Sequence, residues 1–481
     1  MTPTVALLVV GLTPSLIGED TPHLQAFARR GGMRPLREAF PAVTCTAHAT
    51  FTTGLPPAAH GAVANGWYFR DTAEVRLWQQ SNHLVSGEHV WDVGRRLDPA
   101  FTCAQLFWWY NMYSSADYSV TPRPMYPADG RKIPDCYTAP MELRDELTAK
   151  LGPFPLFNFW GPRADLTSSR WIADCARYVR DTRGPTLTLV YLPHLDYNLQ
   201  RLGPNDPRLA ADLRAVDALC GELIEHAERG GARVVVLSEY GITPVRGAVH
   251  VNRVLREAGL VAIKPEMGTD QLDAGASEAF AVADHQVAHV YVRRPERVAE
   301  VKALLEGVDG VETVLDKDGK RAAGLDHPRS GELVAVSAAD RWFTYYHWLD
   351  DARAPDYART VDIHRKPGYD PVELFLDPAI RYPTLKVGGI LARRKLGFRT
   401  LLDVTPLDAS LVRGSHGRPV DGPARGPVFI SGEPDVLGDG FDGGVDATEV
   451  KGLLLAHVFG GGRASGGRAA ALAASAPVEA G

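Results

Sequence analysis

The chain is poor in cysteine. It has five in 481 residues, Cys45, Cys103, Cys136, Cys175 and Cys220, an odd and scattered set. No Cys-x-x-Cys pair occurs, which argues against a thiolate zinc site and for reduced thiols in a cytoplasmic protein. Positive charge is not in excess. A net charge of −6 argues against an electrostatic nucleic-acid binder, so no nucleic-acid polymer is expected as a partner. Long apolar runs are absent, and no membrane span is expected. The opening residues MTPTVALLVVGL have neither a basic n-region nor a small-residue cleavage site. They read as a first buried strand rather than a signal peptide. Internal repeats are also missing.

What is present suits a large core, since 45% of residues are apolar. Val5 to Val10 is a short continuous apolar run of the kind found in central parallel strands. Thr21 to Arg30 has helical spacing and stops at Gly31-Gly32. Thr186 to Tyr191 predicts a second strand, Arg208 to Arg229 a long amphipathic helix, and Arg233 to Leu237 a third strand. Strands that alternate with helices, with polar motifs at the strands' C-terminal ends, describe an α/β fold with a doubly wound, mainly parallel sheet. Six of the nine tryptophans lie between Gly66 and Asp165, including Trp108-Trp109. That stretch, 66–165, reads as an aromatic-rich insertion over the site, most of whose rings are expected in its own core, with some left to line an apolar or stacking pocket for the substrate. Residues 281–378 hold the strand candidates HVYVRR and ELVAVSA around the helix candidate PERVAEVKALLEG, a smaller α+β lobe. The core is then 1–65, 166–280 and 379–458, and the Gly/Ala/Ser-rich tail 459–481 is expected to be disordered.

One stretch carries chemistry. Phe40 to Trp67, FPAVTCTAHATFTTGLPPAAHGAVANGW, puts Thr44 in a Pro-x-x-Thr turn just before a segment that can start a helix. A hydroxyl there sits where backbone N–H groups and the helix dipole favour an anion, the setting a nucleophile needs to attack phosphorus. Taken alone, Thr44 reads as an N-cap. The ordered run that follows, Thr53-Gly54-Leu55, a proline pair, His60-Gly61 and Asn65, resembles the nucleotide pyrophosphatase/phosphodiesterase branch of the alkaline phosphatase superfamily. The resemblance implies an alkaline-phosphatase-like fold and a phosphoester hydrolase. It places Thr44 on the nucleophile, Asn65 on the asparagine that holds phosphoryl oxygens, and His48 among the scaffold positions.

The resemblance also implies two divalent metals, often zinc, and a ligand set that this chain keeps only in part. The first ligand, an Asp ending strand one, falls on Gly11. The motif Pro-Asp-x-x-x-His-x-x-Gly-Pro falls on YLPHLDYNLQRLGP, which keeps Asp196 but has Gln200 for the histidine. Ser-Asp-His-Gly becomes Ser238-Glu239-Tyr240-Gly241. The last motif, His-Gly, is met by His416-Gly417. Asp196, Gln200, Glu239 and His416 are thus the metal candidates, with Tyr240, His194, His285 and His289 as further ones. His285 and His289 share a face in either a helix or a strand, and His194 points with Asp196 if the chain there is extended. Carbonyl and carboxylate oxygens suit magnesium or manganese better than zinc, so one metal or two, zinc, manganese or magnesium, stays open. The expected substrate is a small-molecule phosphoester. The alternatives are a degenerate relative that binds without turnover, and a phosphomutase.

Overall fold

The run TVALLV, Thr4–Val9, is buried at every residue and becomes the axis of the molecule. Burial of each Val or Leu there contributes about 1.5–3 kcal/mol. The structure is a computed structural model that describes residues 1–438, 441 and 443–460. All but the first two residues of the expected disordered tail lie outside the described residues.

The strands of the two main sheets are, in chain order, β1 (Thr4–Val9), β2 (Gly32–Arg37), β3 (Cys103–Leu106), β4 (Tyr118–Pro122), β5 (Cys136–Ala139), β6 (Leu187–Leu192), β7 (Arg233–Leu237), β8 (Ala279–Asp284), β9 (Val287–Val292), β10 (Val311–Leu315), β11 (Leu333–Ser337), β12 (Val428–Ser431) and β13 (Val445–Asp446). The central sheet has nine strands in the order β13-β2-β12-β7-β1-β6-β3-β4-β5. Its middle is parallel from β7 through β1, β6 and β3 to β4. β12 and β5 run antiparallel to their neighbours. One face is covered by the helices Pro22–Arg30, Leu166–Arg183 and Leu209–Arg229, the other by Thr44–Thr53, Val90–Leu97 and Val450–Phe459. This is the doubly wound, mainly parallel α/β sheet read from the sequence.

The smaller sheet is antiparallel, β8-β9-β11-β10, with the helix Val298–Glu306 between β9 and β10. The Trp-rich stretch is not a separate cap. β3, β4 and β5 lie inside it and extend the central sheet. Trp91 and Trp108 are buried in the core around that sheet, whereas Trp67 and Trp109 belong to the core of the smaller sheet. Short strands between Pro and Gly turns had hidden this, because three four- or five-residue strands carry too little periodicity to be read in sequence.

Candidate active site

The C-terminal ends of β1, β6 and β7 lead directly into Gly11, the helix His194–Leu202, and Ser238-Glu239-Tyr240. In a doubly wound sheet this edge is where ligands bind. The Ser238 hydroxyl donates to the Leu12 carbonyl at 2.5 Å and accepts from the Val428 N–H at 2.9 Å, which holds the turn after β7 in place.

Thr44 is the first residue of the helix Thr44–Thr53; Val43, in extended conformation, is its N-cap. The threonine therefore does not cap. Its Oγ1 donates to Glu239 Oε1 at 2.8 Å and lies 3.5 Å from the Tyr240 hydroxyl. Every residue of this helix is buried. Ala47 and Phe51 pack into the core of the central sheet, Cys45 and Ala49 into that of the smaller sheet. Held between two cores, the helix N-terminus has a fixed position. Cys45 is packing: burial pushes its thiol well up, away from the reactive thiolate.

Sequence reasoning left His48 as scaffold, yet the structure brings it to Glu239. His48 Nε2 lies 2.7 Å from Glu239 Oε2. Its Nδ1 accepts the Trp109 backbone N–H at 2.8 Å, so the ring proton sits on Nε2, the nitrogen beside the carboxylate. Thr44, Glu239 and His48 form one continuous line. The signal was available: His48 is four residues after Thr44, one helical turn along the same face.

Asn65 reaches the helix N-terminus, as the resemblance implied, but its amide is engaged by protein. Its Oδ1 accepts the Cys45 N–H at 2.9 Å, and its Nδ2 donates to Asp284 Oδ1 at 3.1 Å. The Asn65 N–H also donates to Asp284 Oδ2 at 2.7 Å. Asp284, which sequence reasoning passed over beside His285, closes β8; burial raises its pKa to about 6.

The metal candidates are used differently from the implied set. Gln200 Nε2 donates to Asp196 Oδ2 at 2.8 Å, and Gln200 Oε1 accepts from the Tyr369 hydroxyl at 3.1 Å. The Tyr240 hydroxyl donates to Asp196 Oδ1 at 3.3 Å. Four rings line up in sequence: Tyr240 stacks on His416 at 3.5 Å, His416 meets His285 at 3.7 Å with the planes tilted by 36°, and His285 stacks on Tyr369 at 3.6 Å. The Asp196–Gln200 pair joins the two tyrosine hydroxyls at the ends of this stack. Burial raises the Asp196 pKa to about 7 and pushes the Tyr240 phenol well up. His416 Nδ1 lies 2.7 Å from the Ala42 carbonyl and His285 Nδ1 lies 2.7 Å from Asp284 Oδ1. Both protons are thereby placed on Nδ1. Each Nε2 is left as a buried acceptor without a protein partner. Burial holds both imidazoles neutral by lowering their pKa.

Two candidates fall away. His194 begins a helix, so it does not point with Asp196; its Nε2 is 2.9 Å from Asp212. His289, on β9, spends Nε2 on the Val63 carbonyl at 3.1 Å and Nδ1 on the Gly331 N–H at 3.1 Å. His285 is not on a helix or a strand but in the β8–β9 turn, at φ +60°.

The resemblance implied a pair of divalent metals, and the residues here do not fit one. At Gly11, φ is +72°, where a side chain is strained, and a Cβ would come within 2.7 Å of Leu199 Cδ1, so a carboxylate there would also require Leu199 to move. Gln200 is bonded at both ends of its amide, and Tyr240 keeps its proton. Among the described residues, no three His, Cys, Asp or Glu side chains converge to hold a metal ion.

This edge-of-sheet constellation, a buried hydroxyl at a helix N-terminus beside a carboxylate, sits in a fold of the alkaline phosphatase superfamily. The profile of the type I phosphodiesterase / nucleotide pyrophosphatase family matches residues 4–370, and the chain belongs to that family. An uncharacterized pyrophosphatase/phosphodiesterase of Schizosaccharomyces pombe is 27% identical over 235 residues, 47% of this chain and 41% of the relative. The match therefore spans about two fifths of that protein's length. Among solved structures, phosphonoacetate hydrolase of Sinorhizobium meliloti 1021, bound to phosphonoformate, is similar with TM-score 0.60 and 16% identity, covering 95% of this chain and 96% of that one. An inactive form of murine ectonucleotide pyrophosphatase/phosphodiesterase 5 in complex with AMP gives TM-score 0.57 and 14% identity, covering 95% of each chain. At these identities the two structures show the fold.

Proposed function

We propose that this chain hydrolyses phosphodiesters, with Thr44 as nucleophile and Glu239 as its base. One observation carries the reading: the 2.8 Å hydrogen bond from Thr44 Oγ1 to Glu239 Oε1 at a helix N-terminus. Glu239 takes the threonine proton as Oγ1 attacks phosphorus and the bond to the leaving oxygen breaks. The leaving alkoxide takes a proton from water. The hydroxide formed cleaves the phosphothreonine, and the threonine oxygen recovers its proton from Glu239. His48 is a positioning residue that orients Glu239. Each of these steps uses this chain's own residues, since the donor set does not fit the implied pair of metals.

Charge favours a diester over a monoester. Asp196, Glu239 and Asp284 are buried together, and among the described residues none of them pairs with a Lys or Arg. A singly charged diester meets less repulsion there than a doubly charged monoester. Trp78 and Trp160 are half-buried beside Tyr369, which supports a role for them in meeting the part of the ester that does not react. The five thiols, all free and buried, support the cytoplasmic reading.

A second reading, binding without turnover, is favoured by one contact. The Asn65 amide oxygen, in the residue that the resemblance assigns to phosphoryl oxygens, accepts the Cys45 N–H instead. Acid-quenched protein incubated with a chromogenic diester separates the two. Phosphothreonine at Thr44 by mass spectrometry, and turnover abolished in Thr44→Ala, support catalysis. Undiminished turnover in that variant overturns the nucleophile. Saturable binding of the diester with no turnover in the native chain supports the second reading.

A further inference from the structure

Residues Pro383–Lys395 form a helix without a single buried residue. Helices of a folded domain ordinarily hide one apolar face against the core. Here Val387 and Ile390 are half-buried, while Leu385 is 73% and Leu396 76% exposed. Leu385, Ala392 and Leu396 fall at i, i+7 and i+11, on one stripe of the helix that faces away from the body. Past the helix, Phe398 and Leu401 are exposed as well, and Tyr382 precedes it.

Charge on this segment is one-sided. From Arg381 to Leu401 the sequence RYPTLKVGGILARRKLGFRTL has six basic residues and no acidic one, in a chain whose net charge is −6. Arg399 donates to the Ala128 carbonyl, which ties the segment to a loop where Met125 and Tyr126 are exposed too. The result is a protruding belt of Leu, Phe, Met and Tyr tips interleaved with guanidinium and ammonium groups.

We infer that this belt docks the protein on the surface of an anionic lipid bilayer. A helix with exposed Leu and Phe on one side and Lys and Arg beside them lies in the headgroup region, its apolar tips below and its cations among the phosphates. The one-signed charge is complementary to such a surface. Lys386 pairs with Asp403, and a second copy of this chain would bring the other five like charges against five. The inference does not depend on the chemistry assigned to Thr44.

The test is co-sedimentation of the full chain with vesicles of phosphatidylcholine alone and of phosphatidylcholine with phosphatidylglycerol. The mixed vesicles should bind it at low salt, and pure phosphatidylcholine should not. With roughly 1 kcal/mol per cation near the surface, the triple variant Arg393→Gln, Arg394→Gln, Lys395→Gln should weaken binding about a hundredfold. Leu385→Ser with Leu396→Ser should weaken it through the apolar side. Both variants should keep the native melting temperature, since these side chains are exposed, and a lowered value in one leaves the other to decide. Absence of binding to the mixed vesicles overturns the inference, as does binding that both variants retain. A dimer in sedimentation velocity that Leu385→Ser with Leu396→Ser dissolves would overturn it in favour of a second copy.

Discussion

Replacing Glu239 with Gln tests the site at its centre. The carboxylate accepts from Thr44 at 2.8 Å through one oxygen and faces the protonated His48 Nε2 at 2.7 Å through the other. Both neighbours are donors, and Glu239 is fully buried. Gln offers one acceptor and one donor, so one neighbour must meet an N–H group. One charge-assisted hydrogen bond is lost, worth about 1.5–3 kcal/mol, and a buried donor is left without an acceptor at about 1–3 kcal/mol more. Stability should therefore fall by roughly 2.5–6 kcal/mol. Turnover should fall by about two to four orders of magnitude, the usual contribution of a general base. Urea denaturation and diester hydrolysis by the folded variant measure the two separately. A folded Glu239→Gln protein with native turnover would refute the assignment of the base. Native stability would refute the geometry, because a buried amide cannot satisfy two donors at those positions.

Elemental analysis of the purified protein should find less than one tightly held divalent ion per chain, and a chelator should leave the melting temperature unchanged; two bound zinc ions would show that the ring stack rearranges around metal. Trp108→Ala should destabilise by about 3–5 kcal/mol rather than alter substrate ranking, since Trp108 is fully buried against His48 and Phe51; a folded variant with changed ester preference would restore the selectivity role to this ring. Lys366, buried between Asp370 and Glu373 at 2.7 Å from each, should cost about 3–5 kcal/mol as Lys366→Met, because two buried carboxylates lose their cation; unchanged denaturation would contradict this.

The alternation of apolar runs and amphipathic stretches was enough to read β1, β6 and β7 and the helices beside them, because hydrophobic periodicity is local. The turn at Thr44 was legible for the same reason: a helix start and its hydroxyl lie in one short stretch. So were Glu239 and His416, through the motifs around them. The roles of His48, Asp284 and Tyr369 were not, since each depends on which chain segment folds back on it. The Trp109 backbone N–H decides the proton position on His48, and residues 61 apart in sequence have to meet for that. Gly11 looked like a missing ligand. Only the tertiary structure shows that its backbone lies in the left-handed region and that Leu199 packs against it, so a side chain there would be strained and Leu199 would have to move. Likewise, the sequence by itself determined that Gln200, Tyr240 and Gly11 stand at positions where the resemblance implies histidine or aspartate. The tertiary structure decided what those changes mean: a stack of four rings, joined end to end through Asp196 and Gln200, now occupies the edge of the sheet. Ring stacking and hydrogen bonding depend on distances between remote segments, and composition and spacing carry no record of those distances.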